Sequence, residues 1–269
     1  MREPYPSDLS DAQWELVAPH IPPPRGRRLV DVRQVVNAIL YITRSGCQWR
    51  MLPKEFPKWR TVHDYHTIWQ FNGTWRRMTD ALRRQVRREQ HPTAGEEPAT
   101  ARIDSQSVKS AGQGGEVGID GGKRVKGRKR HIAVDSAGLL IAVAVTAANV
   151  DDARAAPRVL ADLPASVRDV YADSKYHNYR LYGYVGGTKA RYQLHIVSRP
   201  PGTKGWVTLP RRWVVERSFA WLGRSRRHSR DYEKLACMSE AFVRASCIHH
   251  MLNRLRPGPR GSPFKYRAA

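Results

Sequence analysis

In the first third of the chain, hydrophobic positions recur at helical spacing. Ser10-Asp-Ala-Gln13 has the capping-box pattern ahead of Trp14, Leu16 and Val17, which predicts a short helix ending before Pro22-Pro23-Pro24. Asp31 opens a second helix, in which Val32, Val35, Val36, Ile39, Leu40 and Thr43 keep the spacing as far as Gly46. A third is expected from Thr61 and a fourth from near Thr74, with Trp75, Met78, Leu82 and Val86 on one face. Residues 91–98, His-Pro-Thr-Ala-Gly-Glu-Glu-Pro, form the clearest linker. After it the period changes. Residues 101–108 read as a strand, and residues 127–135 and 139–147 as two more, joined by a turn at Asp135-Ser-Ala-Gly138. Asp151 and Asp152 cap a helix running to Leu163, residues 167–173 and 192–198 read as further strands, and two helices follow. Pro210 opens the first of these, with Val215, Phe219 and Leu222 as its buried stripe. The second begins near Ser239 and carries Phe242, Ala245, His249, Leu252 and Leu255. The order is three strands, helix, strand, a variable segment, strand, helix, helix. It implies an α/β unit over residues 98–258 with a mixed five-stranded sheet, a small all-α region over 1–97 and a basic tail over 259–269.

Charge narrows the partner. The 269 residues carry a net charge of +23, beyond what solubility requires, so a polyanion is expected, although a purely structural nucleic-acid binder has the same signature. Residues 1–97 hold sixteen basic and eleven acidic side chains, net +5, which leaves +18 for the remainder. With double-stranded DNA as the polyanion, the tightly turned N-terminal helices resemble a helix-turn-helix arrangement, and residues 61–72, with His63, Tyr65, His66 and Gln70, would enter a groove. A helical bundle that packs on its neighbour or on another protomer fits the same pattern. Cys47, Cys237 and Cys247 are odd in number and widely spaced, as expected of reduced cysteines in a cytoplasmic, nucleoid-associated protein. No apolar run reaches the length of a membrane span.

Three acids stand out. Asp104 lies inside a strand, where Asp is disfavoured and has no local role. Asp173 ends another strand. Glu216 is the one acid in an otherwise basic and aromatic helix, and its helical face continues through Ala220 and Gly223, small enough to let the helix approach a sheet with the carboxylate aimed at it. A surface ion pair between Arg212 and Glu216 is the plainer reading. The separations are 69 and 43 residues, so only tertiary folding brings the three together. Converging carboxylates need cations, and two Mg²⁺ ions about 3.5–4 Å apart, with Mn²⁺ able to substitute, clamp the attacking and leaving oxygens of a phosphodiester. Asp120 reads more simply as a loop residue, Asp135 as a turn residue, and Asp151 and Asp152 as helix caps. The run 123–130 packs six cations into eight residues, and Lys126, Arg128, Lys129 and Arg130 are its candidate phosphate contacts. Arg212 and Arg217 flank Glu216 as further candidates, and Arg224, Arg226, Arg227 and Arg230 extend the same surface. Trp213 and Trp221 read as core residues; His131 and His177 are candidate general acids or bases, although a hairpin histidine and a loop histidine usually have no such role.

The phrases Ile103-Asp-Ser-Gln-Ser-Val-Lys109, Gly127-Arg-Lys-Arg-His-Ile-Ala-Val-Asp135, Ala172-Asp173 and Leu209-Pro-Arg-Arg-Trp-Val-Val-Glu-Arg-Ser-Phe-Ala-Trp-Leu222 together resemble the DDE transposases of bacterial insertion sequences, in the group named after insertion sequence five. Tyr5-Pro-Ser-Asp-Leu-Ser-Asp11, Val36-Asn-Ala-Ile-Leu-Tyr41 and Gly46-Cys-Gln-Trp-Arg-Met-Leu-Pro53 are similar to the leading helical region of that group. The resemblance implies a ribonuclease H-like fold and assigns Asp104, Asp173 and Glu216 as the metal-binding triad. It also implies binding to the inverted-repeat ends of the element, cleavage and strand transfer there, and a homodimer or larger assembly on DNA. Lys175 stands where the family has glycine, and either crowds the site or adds a phosphate contact. A non-catalytic or repressor-like DNA binder and a structure-specific nuclease of the same fold are the rival functions.

Overall fold

The computed structural model describes residues 3–23, 30–111, 115–187, 192–198 and 213–258. Local chemistry sets the first elements. Ser10 and Gln13 close a reciprocal capping box on α1 (Asp11–Val17). The Asp31 carboxylate accepts from the backbone N–H groups of Arg33 and Gln34 to start α2 (Val32–Ser45), and Gly46, at φ 74°, ends it. The third and fourth helices are α3 (Trp59–Phe71) and α4 (Thr74–Gln90). Between α4 and the first strand, the predicted linker includes a short 3-10 turn, Pro92–Ala94. It is strapped down by Arg87, which donates to the carbonyls of Ala94 (2.6 Å) and Gly95 (2.9 Å).

Among the described residues six strands follow: β1 (Thr100–Lys109), β2 (Gly118–Asp120), β3 (Val125–Val134), β4 (Leu140–Ala147), β5 (Asp169–Ala172) and β6 (Gln193–Ile196). They are interleaved with α5 (Asp152–Leu160) and α6 (Tyr179–Gly187), and followed by α7 (Trp213–Leu222) and α8 (Ala236–Leu255). The main sheet runs β4-β3-β1-β5-β6. The β1, β3 and β4 strands pair antiparallel, and β1, β5 and β6 pair parallel. This mixed sheet, curled and flanked by helices, has the ribonuclease H-like order. The sixth strand, β2, pairs with the first residues of β3 and was not expected from the sequence. Nor was α6, which occupies the variable segment. Gly183, Gly186 and Gly187 dilute its helical signal.

One sheet face, through Ala101, Ile103, Ala133, Val170 and Ala172, packs on α5 and α6. The other, through Ile132, Val134, Leu140 and Val143, packs on α7 and on Val243 of α8. The opposite side of α8, with Ile248, Met251 and Leu252, completes the core of the N-terminal helices. Ala137 and Leu139 of the β3–β4 turn also insert there.

Candidate active site

The parallel pairing of β1 with β5 aligns Thr100 with Asp169, Ala101 with Val170 and Arg102 with Tyr171. That register offset is 69 residues, equal to the separation of Asp104 from Asp173. Both acids lie two residues past the last pair, on neighbouring strands about 4.8 Å apart. They also share a face. Asp104 is the antiparallel partner of Ile132, which packs under α7, whereas Ala172, adjacent to Asp173, points to the α5 side. One step back on the same face, Arg102 lies 5.5 Å from the Tyr171 ring centroid, and Tyr171 stacks on His195.

Each aspartate is anchored by a backbone donor. Asp104 Oδ1 accepts from Ser105 N at 2.7 Å, and Asp173 Oδ1 accepts from Lys175 N at 2.9 Å as the cap of the turn Ser174–Tyr176. Both are half-buried. Lys175 is exposed, and among the described residues only Arg124 is a non-glycine with positive φ. The backbone at Lys175 is therefore unstrained.

Glu216 sits on α7, whose buried face is Val214, Val215, Ser218, Phe219 and Leu222. The small-residue face was expected to abut the sheet. Instead, Glu216, Ala220 and Gly223 are all exposed, because the larger apolar residues on the opposite side win the contact with β3. Glu216 has no hydrogen bond or ion pair with another described residue. Arg212, its candidate partner and a candidate DNA contact, lies outside the described residues. Among the described residues, no three His, Cys, Asp or Glu side chains gather closely enough to hold one ion. The aspartate pair does fit a divalent cation by its donor chemistry: two in-register hard oxygen donors are what Mg²⁺ takes from a protein when substrate oxygens and water complete its shell.

The basic run divides by burial. Lys126 is exposed, as are Lys123 and Arg124. Arg128 is buried, donates to the carbonyls of Glu116, Glu233 and Lys234, and pairs with Asp231 at 3.1 Å. Arg130 is also buried and donates to the carbonyls of His228 and Arg230; burial lowers its pKa to about 10. Lys129 pairs with Asp152 at 3.1 Å and donates to the carbonyl of Val150 at 2.9 Å. Arg128, Lys129 and Arg130 thus tie the sheet to its surroundings and are not placed as phosphate contacts, which corrects the sequence reading. Arg217 is half-buried, 4.5 Å and 4.7 Å from the ring centroids of Trp213 and Trp221, and donates to the carbonyl of Ala137 at 3.1 Å. Trp213, read as core, is 41% exposed.

Other candidates resolve in the same way. His66, expected to face a groove, is fully buried against Trp49, Trp75 and Phe242, and burial lowers its pKa to about 3. His131 donates to or accepts from Thr146 Oγ1 at 2.9 Å, and burial lowers its pKa to about 4. Asp135 accepts from Ala137 N and Leu139 N as a turn residue, and Asp151 caps α5. Asp120 accepts from Ser107 Oγ, a bond that holds its carboxyl below the usual range. Asp152, read as a cap, is buried and accepts from Ser105 Oγ at 2.7 Å. Sequence reasoning missed Arg44, whose guanidinium donates to the carbonyl of Arg224 at 2.7 Å across 180 residues of chain. No local pattern marks such a contact.

Two family models match the chain. Residues 9–79 match "Putative transposase of IS4/5 family", and residues 97–251 match "Transposase DDE domain". A protein of Burkholderia cepacia named "Insertion element IS402 uncharacterized 16.2 kDa protein" is 29% identical over 123 residues, covering 41% of this chain and 78% of that protein. The "Putative transposase for insertion sequence element IS402" of the same organism is 29% identical over 140 residues, covering 48% of this chain and 65% of that protein. No solved structure matches. Among the described residues, no helix is long and apolar enough to cross a membrane.

Proposed function

From the premise that this chain belongs to the DDE transposases of the IS4/5 group, we propose that it binds the terminal inverted repeats of its own insertion sequence and cuts and joins DNA there. Asp104, Asp173 and Glu216 are its acidic triad. The observation that carries this reading is the β1–β5 register, which sets two acids 69 residues apart side by side on the face covered by α7. Two carboxylates at that range call for compensating positive charge, which a divalent cation supplies. Magnesium, or manganese in its place, would be held by Asp104 and Asp173, with which Glu216 does not gather among the described residues, and when bound would supply Lewis-acid stabilisation of the phosphoryl oxygens.

The chain's own residues do the rest. Ser105 N and Lys175 N each hold one carboxylate oxygen, which fixes the pair before DNA arrives. Glu216, exposed and unpartnered among the described residues, can accept a proton from the attacking water at its carboxylate. In the first step water attacks a phosphodiester at the element end, the P–O3′ bond breaks, and a 3′-hydroxyl is freed. In the second that hydroxyl attacks a target phosphodiester and displaces its 3′-oxygen. Lys123, Arg124 and Lys126, all exposed, add sequence-independent affinity. Joining two ends calls for a homodimer or larger assembly on DNA.

The test incubates purified protein with labelled element-end DNA and Mg²⁺, and compares it with Asp104→Asn. Nicked and strand-transfer products are expected from the unaltered chain. The variant should lose at least ~10²–10³-fold in both products while binding DNA as well or more tightly. A variant that cuts and joins normally overturns the mechanism. A non-catalytic end binder is the second reading, favoured by the position of Glu216 outside any three-acid cluster among the described residues; it predicts binding with no product.

A further inference from the structure

The exposed arginines of this protein fall into two groups. Several are neutralised by a nearby acid: Arg76 by Asp162, Arg84 by Glu97 and Arg88 by Glu96. Arg44, Arg224 and Arg226 have no acidic partner among the described residues. They line one open groove of about 400 Å³ together with Tyr5, Tyr41 and Ser45. Among the described residues, no Asp or Glu lines it.

The groove is built, not incidental. Arg44, in the last turn of α2, donates to the carbonyl of Arg224, and Arg227 donates to the carbonyl of Cys47 at 3.1 Å. Gly46 packs so closely on Arg226 that a Cβ there would lie 3.0 Å from that of Arg226. These contacts lock the end of α2 onto the turn that follows α7. Three uncompensated guanidiniums held at one edge of a rigid junction form an anion site, and arginine's planar fork suits phosphate oxygens.

The geometry of α7 says which phosphate. Glu216, Ala220, Gly223 and Arg224 are all exposed and recur at helical spacing, so a solvent-open track of small residues leads from Glu216 to the groove. Glu216 to Leu222 is about 9 Å of helix rise, and the short turn beyond brings the distance to on the order of 10–14 Å. At ~3.4 Å per base step that is roughly three to four nucleotides. Resting on the proposed transposase reading, we propose that the Arg44–Arg224–Arg226 groove binds the DNA backbone about three to four nucleotides from the scissile bond. It makes the N-terminal helical region and the catalytic sheet grip one strand jointly.

The experiment places a neutral methylphosphonate at each successive position of an element-end duplex. Binding is measured in chelator for the full chain and for Arg44→Ala/Arg226→Ala, with Arg88→Ala as a control. In the unaltered chain one substitution, about three to four nucleotides from the cut, should weaken binding. In the double variant that penalty should vanish, and the salt slope of log K should fall by roughly 1, the equivalent of one phosphate contact, while the control keeps both. Arg226→Lys, which keeps the charge, should retain most of the slope. An unchanged slope in the double variant, or a penalty that persists there, overturns the groove. Cutting by the unaltered chain without this coupling overturns the groove alone. Coupling without cutting overturns the catalytic reading alone, and absence of end binding overturns both.

Discussion

Both ring nitrogens of His66 are buried without a hydrogen-bond partner, inside a cage of Trp49, Trp75 and Phe242. Desolvation, with His63 and Arg227 adding to it, lowers its pKa to about 3. Burial likewise lowers His249 and His250 to about 4, and His228 well below its ordinary value. In the unfolded chain these rings take up protons near pH 6.5; in the folded chain they stay neutral. Their stabilisation is therefore complete above pH 6.5 and is lost as pH falls from there toward 4 or 3, by about 1.4 kcal/mol per pH unit for each ring that stays neutral. Urea unfolding at pH 7, 6 and 5 should show stability falling steeply, and His66→Phe should reduce that slope by about one proton. An unaltered slope would refute the assignment. The sequence placed His66 on a helix but could not tell which way it faced, because His63, Tyr65, His66 and Gln70 carry too little polarity contrast. The run 126–130 is harder still. Four of its five residues are basic, so no pattern separates the buried Arg128, Lys129 and Arg130 from the exposed Lys126.

At the scale of elements, β1 is a strand with two occupied faces. Asp104 looks toward α7, while Ser105 looks toward α5, where its hydroxyl donates to Asp152 and Asp152 pairs with Lys129. Asp151 and Asp152 adjoin in sequence but do different jobs. Asp151→Ala removes only a helix cap and should cost about 1 kcal/mol. Asp152→Ala leaves buried Lys129 with only the more distant Asp120, at 3.9 Å, and should cost more than the cap, up to about 3–5 kcal/mol, read from denaturant midpoints at constant slope. Equal losses would mean that the ion pair does not pin β1. Element order was legible because periodicity and caps are local: the capping box of α1, the Asp31 cap and the turn at Asp135 to Gly138 all appear as read. The β1–β5 register was not, since a parallel pairing is set by packing across an intervening helix. The two candidate aspartates could be named, but their adjacency could not.

Across the whole molecule, one buried ion pair links the helical region to the proposed site. Arg87 of α4 meets Asp135 at 2.8 Å, with side-chain exposures of 2% and 0%. Asp135 in turn holds the β3–β4 turn through Ala137 N and Leu139 N. On that turn rests α7: Ser218 Oγ donates to the carbonyl of Gly138 at 2.9 Å, and Arg217 donates to that of Ala137. The predicted linker does not separate the two parts mechanically, because Arg87 also straps residues 94 and 95, and α8 fills both cores. Arg87→Ala strands a carboxylate with no water to reach, so stability should fall by about 3–5 kcal/mol. Its signature should extend beyond α4. Amide hydrogen exchange should quicken in the β3–β4 turn and in α7, the helix of Glu216, as well as around residue 87. Replacing both partners, as in Arg87→Met/Asp135→Asn, removes the stranded charge and should recover part of the loss. Exchange that quickens only in α4 would show that the N-terminal helices and the Glu216 helix are not coupled through this pair.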